Sequence, residues 1–464
     1  MAKRLSGMDA FFLSMEGGAW PQHVLGMMIL DPSEVKDFGF ETIKAHLESR
    51  LDYMPQFRRR IQQVPFQLDK PVWVDDPNFT IDAHMHRAAC PSPGGPREFS
   101  DIVSHILSRN LERGQPLWQC WFVEGLADGR VAFVTKTHHA MVDGVSGAGL
   151  ADVLCDISAD PKKRPAAVKE EEQPRRGKRE LLVQGAATAV TNTPKFAKFL
   201  VQSVEGAATT ISHLRSEDPP PPPRPLSAPR TIFNGIISPR REFAYTSLPM
   251  ADVKLVKNHF GATVNDVIMT VVAGAVRSYL VDHDALPKEP IIATVPMSTR
   301  REGDTEMGNQ VHPMAASLAT DVEDPVERLT AIHAGMGSVK RLAEDMTAKP
   351  KVGLTEIAPP VLLSLVFKAY QDAGLEQKLP LNSNLIVSNV PGPPVPLYLA
   401  GARVEHIFPV GPLNMGMGLN VTVFSYRDSI DVGVQADPAL VDGAWNLIDA
   451  AAAELEKLVT ATKS

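Results

Sequence analysis

Cysteine is scarce in this chain. The three present, Cys90, Cys120 and Cys155, are an odd number without paired spacing. That excludes a disulfide framework, fits a reducing, cytoplasmic setting, and leaves all three as small core residues. Long apolar runs are missing too: no window of 18 apolar residues occurs, so any membrane contact is expected to be peripheral, on the inner face of a plasma membrane or on lipid droplets. A secretory signal is not expected, because the apolar stretch after the basic start is cut by Asp9, Ser14 and Glu16. There is no excess of positive charge, since 47 Lys and Arg stand against 54 Asp and Glu for a formal net charge of −7. General nucleic-acid binding is thereby excluded, while local basic patches stay open. No internal repeat is found. What is there is an ordinary globular composition, 44% hydrophobic and 22% charged, in 464 residues. That length exceeds what one hydrophobic core usually serves, so two domains are expected.

The stretch that carries chemistry is His138-His139-Ala140-Met141-Val142-Asp143-Gly144. Before it, Val131–Thr137 is β-branched and apolar without a helical period, and Ala127–Arg130 reads as a hairpin turn from Cys120–Leu126, so the His pair ends a strand. Successive strand residues point to opposite faces, which predicts that one imidazole faces a cavity and the other packs. Asp143 lies past the strand end, where Gly144 permits a turn, and Leu150, Val153, Leu154 and Ile157 recur at helical spacing. A carboxylate there can reach back toward an imidazole or pair with an arginine and stiffen the turn. The plainer reading makes both histidines hydrogen-bonded residues of a hairpin end and Asp143 a helix cap; the whole pattern favours the catalytic one.

Along the rest of the first half, Phe40, Ile43, Leu47 and Leu51 mark a helix, and Arg58-Arg59-Arg60 reads either as a phosphate holder or as a solvated face. His84 and His86 would share a strand face, and without a third ligand nearby no metal site is expected. Phe99, Ile102, Val103, Ile106, Leu107 and Leu111 give an amphipathic helix. Residues 1–158 form the first domain on this reading. Residues 159–228 form an interdomain connection, charged from Pro161 to Glu180, helix-prone over Lys178–Leu214 and stiffened by the prolines from Pro219 to Pro225. Residues 229–464 form the second domain.

In that second domain Met250–Phe260 is a helix stopped by Gly261, and Thr263 to Asp266 looks like a capping box opening another. Asn265 thus sits in a first helical turn, where backbone N–H groups favour a developing negative charge and its amide adds a donor; capping alone is the competing role. Val361–Phe367 is either a core helix or an exposed apolar lip.

The His138–Gly144 motif resembles that of the coenzyme-A-dependent acyltransferase superfamily. Further landmarks follow in order: Leu5-Ser6, Asp9-Ala10 and Phe12-Leu13 at the start, Pro116-Leu117-Trp118, Asn265-Asp266, Gly308-Asn309, and Ser388-Asn389-Val390-Pro391-Gly392-Pro393. Together they make the chain similar, over both domains, to bacterial wax ester synthase/diacylglycerol acyltransferases. The resemblance implies an α/β fold of two chloramphenicol-acetyltransferase-like sandwich domains, each a mixed β-sheet with helices, around a central tunnel. It implies transfer of a long-chain acyl group from acyl-CoA to diacylglycerol or a long-chain alcohol, with no metal, no cofactor and no covalent acyl-enzyme. His139 would be the general base, His138 and Asp143 its braces, Gly144 the turn, and Asn265 with Asp266 the oxyanion or substrate-positioning pair. An amide-forming condensation-type enzyme and a lipid-binding scaffold without turnover are the alternatives.

Overall fold

In the computed structural model, residues 4–17, 20–144, 147–161, 164–167, 171–214, 220–298, 311–347 and 353–463 are described, with backbone alone at 142–144, 147–149, 193, 196–197, 200–214, 298, 311–312 and 346–347. The first half runs through α1 (Gly7–Met15), β1 (His23–Asp31), α2 (Phe40–Arg50), β2 (Arg59–Gln62), β3 (Val72–Asp75) and β4 (Met85–Ala89). It continues with α3 (Pro96–Leu107), β5 (Trp118–Glu124), β6 (Val131–His138), α4 (Gly147–Leu154) and α5 (Lys178–Leu214). The second half begins with β7 (Glu242–Pro249), α6 (Met250–Phe260), α7 (Val264–Asp282), β8 (Ile292–Ser298), β9 (Val311–Ser317) and α8 (Pro325–Thr347). Then come α9 (Leu354–Ile357), α10 (Pro360–Asp372), α11 (Leu375–Lys378), β10 (Leu385–Pro391), β11 (Tyr398–Leu399), β12 (Ala402–Val410), β13 (Leu419–Tyr426), β14 (Ser429–Ala436) and α12 (Ala444–Ala461).

Two six-stranded mixed sheets result, ordered β11-β12-β1-β6-β5-β4 and β7-β14-β13-β10-β8-β9. The first is covered on both faces. Leu25, Met27 and Ile29 of β1 join Val103 and Ile106 of α3, whereas Met28 and Leu30 join Ile43 and Leu47 of α2. Burial on both faces is why β1 reads as an unbroken apolar run instead of an alternating one. The second sheet lays one face under α6, α7, α8 and α12. From its other face Phe424 and Tyr426 enter the core of the first half.

The halves are also stitched through α3. Ser100, Ser104 and Ser108 recur every four residues, on one helix face, and meet the edge at β7: the Ser100 hydroxyl donates to the Phe243 carbonyl, while Ser104 and Ser108 accept from the Phe243 and Arg241 N–H groups. An open sheet edge is thus capped by side chains instead of a further strand.

Several expectations change. Residues 229–464 do not form a separate sheet domain, since β11 and β12 complete the first sheet, with Leu25 facing Val410. The charged start of the connection is docked, for the Gln173 carbonyl accepts from the Asp75 N–H of β3, the Gln173 N–H donates to the Asp75 carboxylate, and the Arg176 backbone binds the Gln62 side chain. Arg58, Arg59 and Arg60 each face a carboxylate, of Asp52, Asp75 and Asp76. By length and composition α7 could cross a bilayer, contrary to the reading of the runs, yet it is packed in the second core. Inside it Gly274 leaves room for Glu454, which forms a buried ion pair with Arg328. Removing either partner alone would strand a charge, a far larger cost than the pair's net worth.

Candidate active site

The two adjacent histidines part company at the end of β6. Strand alternation sends Lys136 and His138 to one side, where His138 is 0% exposed. Its Nδ1 accepts the Ala140 N–H at 3.0 Å, which leaves the ring proton on Nε2, 3.5 Å from Glu16 Oε1. His23, paired with His138 in the β1–β6 register, brings its Nε2 within 3.2 Å of the same oxygen. Arg113 takes the other oxygen of Glu16 at 2.7 Å. Burial acts to raise the Glu16 carboxyl, but the neighbouring His138 and His23 rings override it and hold it well below the usual carboxylate range. Burial likewise pushes His23 down to about 3 against the pull of Glu16. Lys136, pushed down to about 7 mainly by burial, donates to the Ile106 carbonyl at 2.7 Å and to that of Arg109, the carbonyls left open at the end of α3.

His139 turns the other way. Its N–H donates to the Gln22 carbonyl at 2.7 Å, and its half-buried ring lies against Phe12, with centroids 3.9 Å apart. Burial pushes the imidazole down to about 4, with His138 adding to the effect, so the ring is neutral at pH 7. The short helical turn His139–Gly144 and then α4 follow, in the expected strand, turn, helix order. Asp143 and Gly144 lie in that turn; the Asp143 side chain is outside the described residues.

The sequence landmarks turn out to be the mounts of this pair. Ser6 accepts from the Asp9 N–H and caps α1, the helix that presents Phe12. The Leu117 carbonyl accepts from the His138 N–H, and Trp118 donates to the Phe57 carbonyl at 2.7 Å while stacking on His84. That stacking, with a hydrogen bond from His84 to the Trp118 carbonyl, places His84 in the core; His86 lies beside Trp121. Among the described residues no group of three or more His, Cys, Asp or Glu could hold a metal ion.

Asn265 and Asp266 open α7. Thr263 is the N-cap: its hydroxyl accepts from the Asp266 N–H, and the Asp266 carboxylate accepts from the Thr263 N–H at 2.9 Å. His333 sits 2.7 Å from the same carboxylate oxygen. Asp266 is therefore buried and engaged in holding the helix start, which corrects its placement beside Asn265 as a positioning residue. Asn265 does not cap. Its Oδ1 accepts from Asn389 Nδ2 at 3.2 Å, which leaves its own amide N–H groups for another acceptor. No hydrogen bond, ion pair or ring contact among the described residues joins the His pair to Asn265 or Asp266. Val390, next to Asn389, packs on the same hydrophobic core that contains Ala140 and Met141. Gly308 and Asn309 lie outside the described residues.

Glu16, His23, Lys136, Phe12 and Asn389 were not picked out from the sequence as site residues. Glu16 left one signal, a carboxylate interrupting an apolar stretch. His23 left none, since only strand pairing brings it to His138.

Residues 5–268 match the model of the wax ester synthase/diacylglycerol acyltransferase catalytic domain, and 307–459 that of its C-terminal domain. A protein of Mycobacterium tuberculosis H37Rv that carries the provisional name diacylglycerol O-acyltransferase is 37% identical over 98% of this chain and 90% of its own length. A second with that provisional name from the same strain is 35% identical over 100% and 98%. Among solved structures, the wax ester synthase/diacylglycerol acyltransferase from Marinobacter aquaeolei VT8 superposes with a TM-score of 0.71 at 28% identity, covering 100% of both chains. The first condensation domain of the CDA synthetase superposes at 0.57 with 13% identity, over 99% and 96%, a likeness of fold alone.

Proposed function

Since the chain belongs to the wax ester synthase/diacylglycerol acyltransferase family, and is on that ground an acyl-CoA-dependent acyltransferase, we propose that it esterifies diacylglycerol, and also long-chain alcohols, with a long-chain acyl group, with His139 as general base. The observation that carries this reading is the contrast at the end of β6: His138 is locked into a buried polar cluster, while His139 is half-buried and neutral.

A neutral imidazole is the form that can accept a proton. As the acceptor hydroxyl attacks the thioester carbonyl, its proton passes to His139, a new C–O bond forms and the carbonyl oxygen becomes an oxyanion. Collapse of that intermediate breaks the C–S bond, and the departing CoA thiolate recovers the proton from His139. A ring held near 4 is a weak base, and the negative charge developing beside it strengthens it during the reaction. Positioned general bases contribute about 10²–10⁴-fold. The free amide N–H of Asn265, oriented by Asn389, is the side-chain donor we assign to the oxyanion. Asp143 braces the turn after His139. Acyl-CoA is a co-substrate, no cofactor enters any step, and the reaction requires that water be kept from the thioester. Both acceptor classes are nearly insoluble, so the reaction takes place at a membrane or lipid-droplet surface.

The test is incubation of pure protein with labelled palmitoyl-CoA and diacylglycerol, hexadecanol or a fatty amine, followed by lipid separation. Triacylglycerol as main product supports the reading. Amide as main product, or CoA release without any lipid product, overturns it.

A further inference from the structure

The outward side of α10 is apolar where water should be its neighbour. Leu363 and Phe367 turn inward, whereas Leu362, Leu365 and Val366 are 53%, 60% and 56% exposed, a stripe at helical spacing. Nearby, Phe66 sits in the tight turn Pro65–Gln67 with φ of +57° and 78% of its surface exposed. A bulky residue rarely adopts that backbone conformation, and here it holds an aromatic ring out in solvent. Ser364 of α10 reaches Gln67 of this turn. Between turn and helix runs an open groove of about 980 Å³ whose lining, among the described residues, contains Arg60, Arg175, Lys178 and Lys368 but no carboxylate. Arg60 faces Asp76 and Lys368 faces Asp372, while Arg175 and Lys178 make no ion pair among the described residues. A positive rim beside exposed leucines stands out in a chain of net charge −7.

We propose that the outer stripe of α10, Phe66 and the cationic groove rim form the surface by which this protein docks on an anionic lipid membrane. The aliphatic stripe and the ring enter the headgroup boundary, and Arg175 and Lys178 meet the lipid charge, as in interfacial helices with basic flanks. A lipid occupant, and not a folded partner, is indicated by where the inner side of the helix leads. The Phe367 ring packs on Phe11 at 5.3 Å, Phe11 lies 6.2 Å from Phe12, and Phe12 covers His139. One helix therefore shows lipid-compatible side chains to the outside and an unbroken aromatic path to the base. The placement rests on the reading that the acceptor comes from a lipid phase. Of the helix Lys178–Leu214 the groove takes Lys178, and Leu181 is buried against Val64, Val72 and Val74.

The experiment is sedimentation of the full chain with phosphatidylcholine vesicles, with and without phosphatidylglycerol, at low and high salt, beside esterification of detergent-dispersed diacylglycerol. Wild type should sediment with the anionic vesicles at low salt. Leu362→Asp/Leu365→Asp should weaken that binding about tenfold or more, and Arg175→Gln/Lys178→Gln should weaken it and flatten its salt dependence. Both variants should keep their turnover in detergent, because the leucines lie largely in water and the cations lie outside the catalytic machinery. Wild type that stays in the supernatant, or a leucine variant that sediments like wild type, overturns the proposal. So does a dimer seen by ultracentrifugation without vesicles that the leucine variant dissociates, which would make this face a contact between copies. Sedimentation is read without turnover, so failure of the docking surface and failure of the esterification reading are separable.

Discussion

Each half of the molecule offers a pair of neighbouring polar residues, and in each pair one member is structural and the other open. At the end of β6, His138 is closed in by Glu16 and His23, while His139 rests half-buried on Phe12. At the start of α7, Asp266 is closed in by Thr263 and His333, while among the described residues Asn265 is held by one side-chain bond, from Asn389. The local geometries differ. A strand sends consecutive side chains to opposite faces, so the two histidines have separate surroundings; a helix start turns its consecutive residues apart by about 100°, so the capping carboxylate and the amide can share one turn. The lesson is that a motif's letters do not assign roles, whereas backbone geometry at the motif does.

The sharpest break in that comparison comes from the histidines. His139→Ala should lower turnover by about 10²–10⁴-fold with melting unchanged. His138→Ala should instead reduce melting temperature and soluble yield, because it leaves Glu16 and the Ala140 N–H without a ring. Equal losses of rate at both positions with unchanged melting would erase the contrast.

Next in size is the second pair. Asn265→Ala should cost about 2.7–4 kcal/mol of barrier if its amide holds the oxyanion. Its effect on stability should be small, since Thr263 is the cap. Asp266→Ala should do the reverse, lowering stability by about 0.5–2 kcal/mol with the rate largely kept. Thermal melting and initial rates on the two proteins decide whether open and structural roles are divided as described.

Glu16→Gln probes the closed side by itself. Losing the charge that faces His23, His138 and Arg113 should cost about 1–3 kcal/mol in denaturant titration. The wild-type dependence on pH has a definite sign. His23 is held at about 3 in the fold, below its ordinary 6.5, so the unfolded chain binds the extra proton and stability falls as the pH drops from 6.5 toward 3. Glu16 adds to this, its lowered carboxyl contributing above the ordinary carboxylate range and losing that contribution on acidification.

The smallest effect expected is a displaced acid limb. Because burial holds His139 at about 4, kcat/KM should stay level down to roughly pH 5 before it falls, whereas an ordinary imidazole would bring the fall near 6.5. A limb near 6.5 would mean that the ring is solvated in the working enzyme.

Local signals decided a good deal. The strand into His138, the turn after it, helix α6 with its stop at Gly261, and the capping box of α7 all follow from period, turn residues and caps, which need only a few neighbours in the chain. Other elements left weaker marks. Strands β1, β9 and β12 and helix α8 gave no reading; β1 is buried on both faces and so loses its alternation, and the pairing of β12 with β1 across hundreds of residues leaves no local mark. In the closing helix α12 the buried stripe includes Ala444, Leu447, Ile448, Ala451, Leu455 and Leu458, a rotation fixed by what packs on it.

By itself, then, the sequence determined the chemistry on offer: a strand-end imidazole, an amide in a first helical turn, no disulfide framework and no positive field. Which histidine is closed and which is open required the register that sets His23 opposite His138 and the loop that brings Glu16 between them. That Asn265 is oriented by a residue 124 positions away likewise came only with the fold. The exposed stripe of α10 was one of two readings of the same letters, and packing against α1 chose it. The physical reason is common to all three. Residue type fixes what a side chain can do, but burial, tautomer and pKa depend on neighbours that the chain supplies from far away.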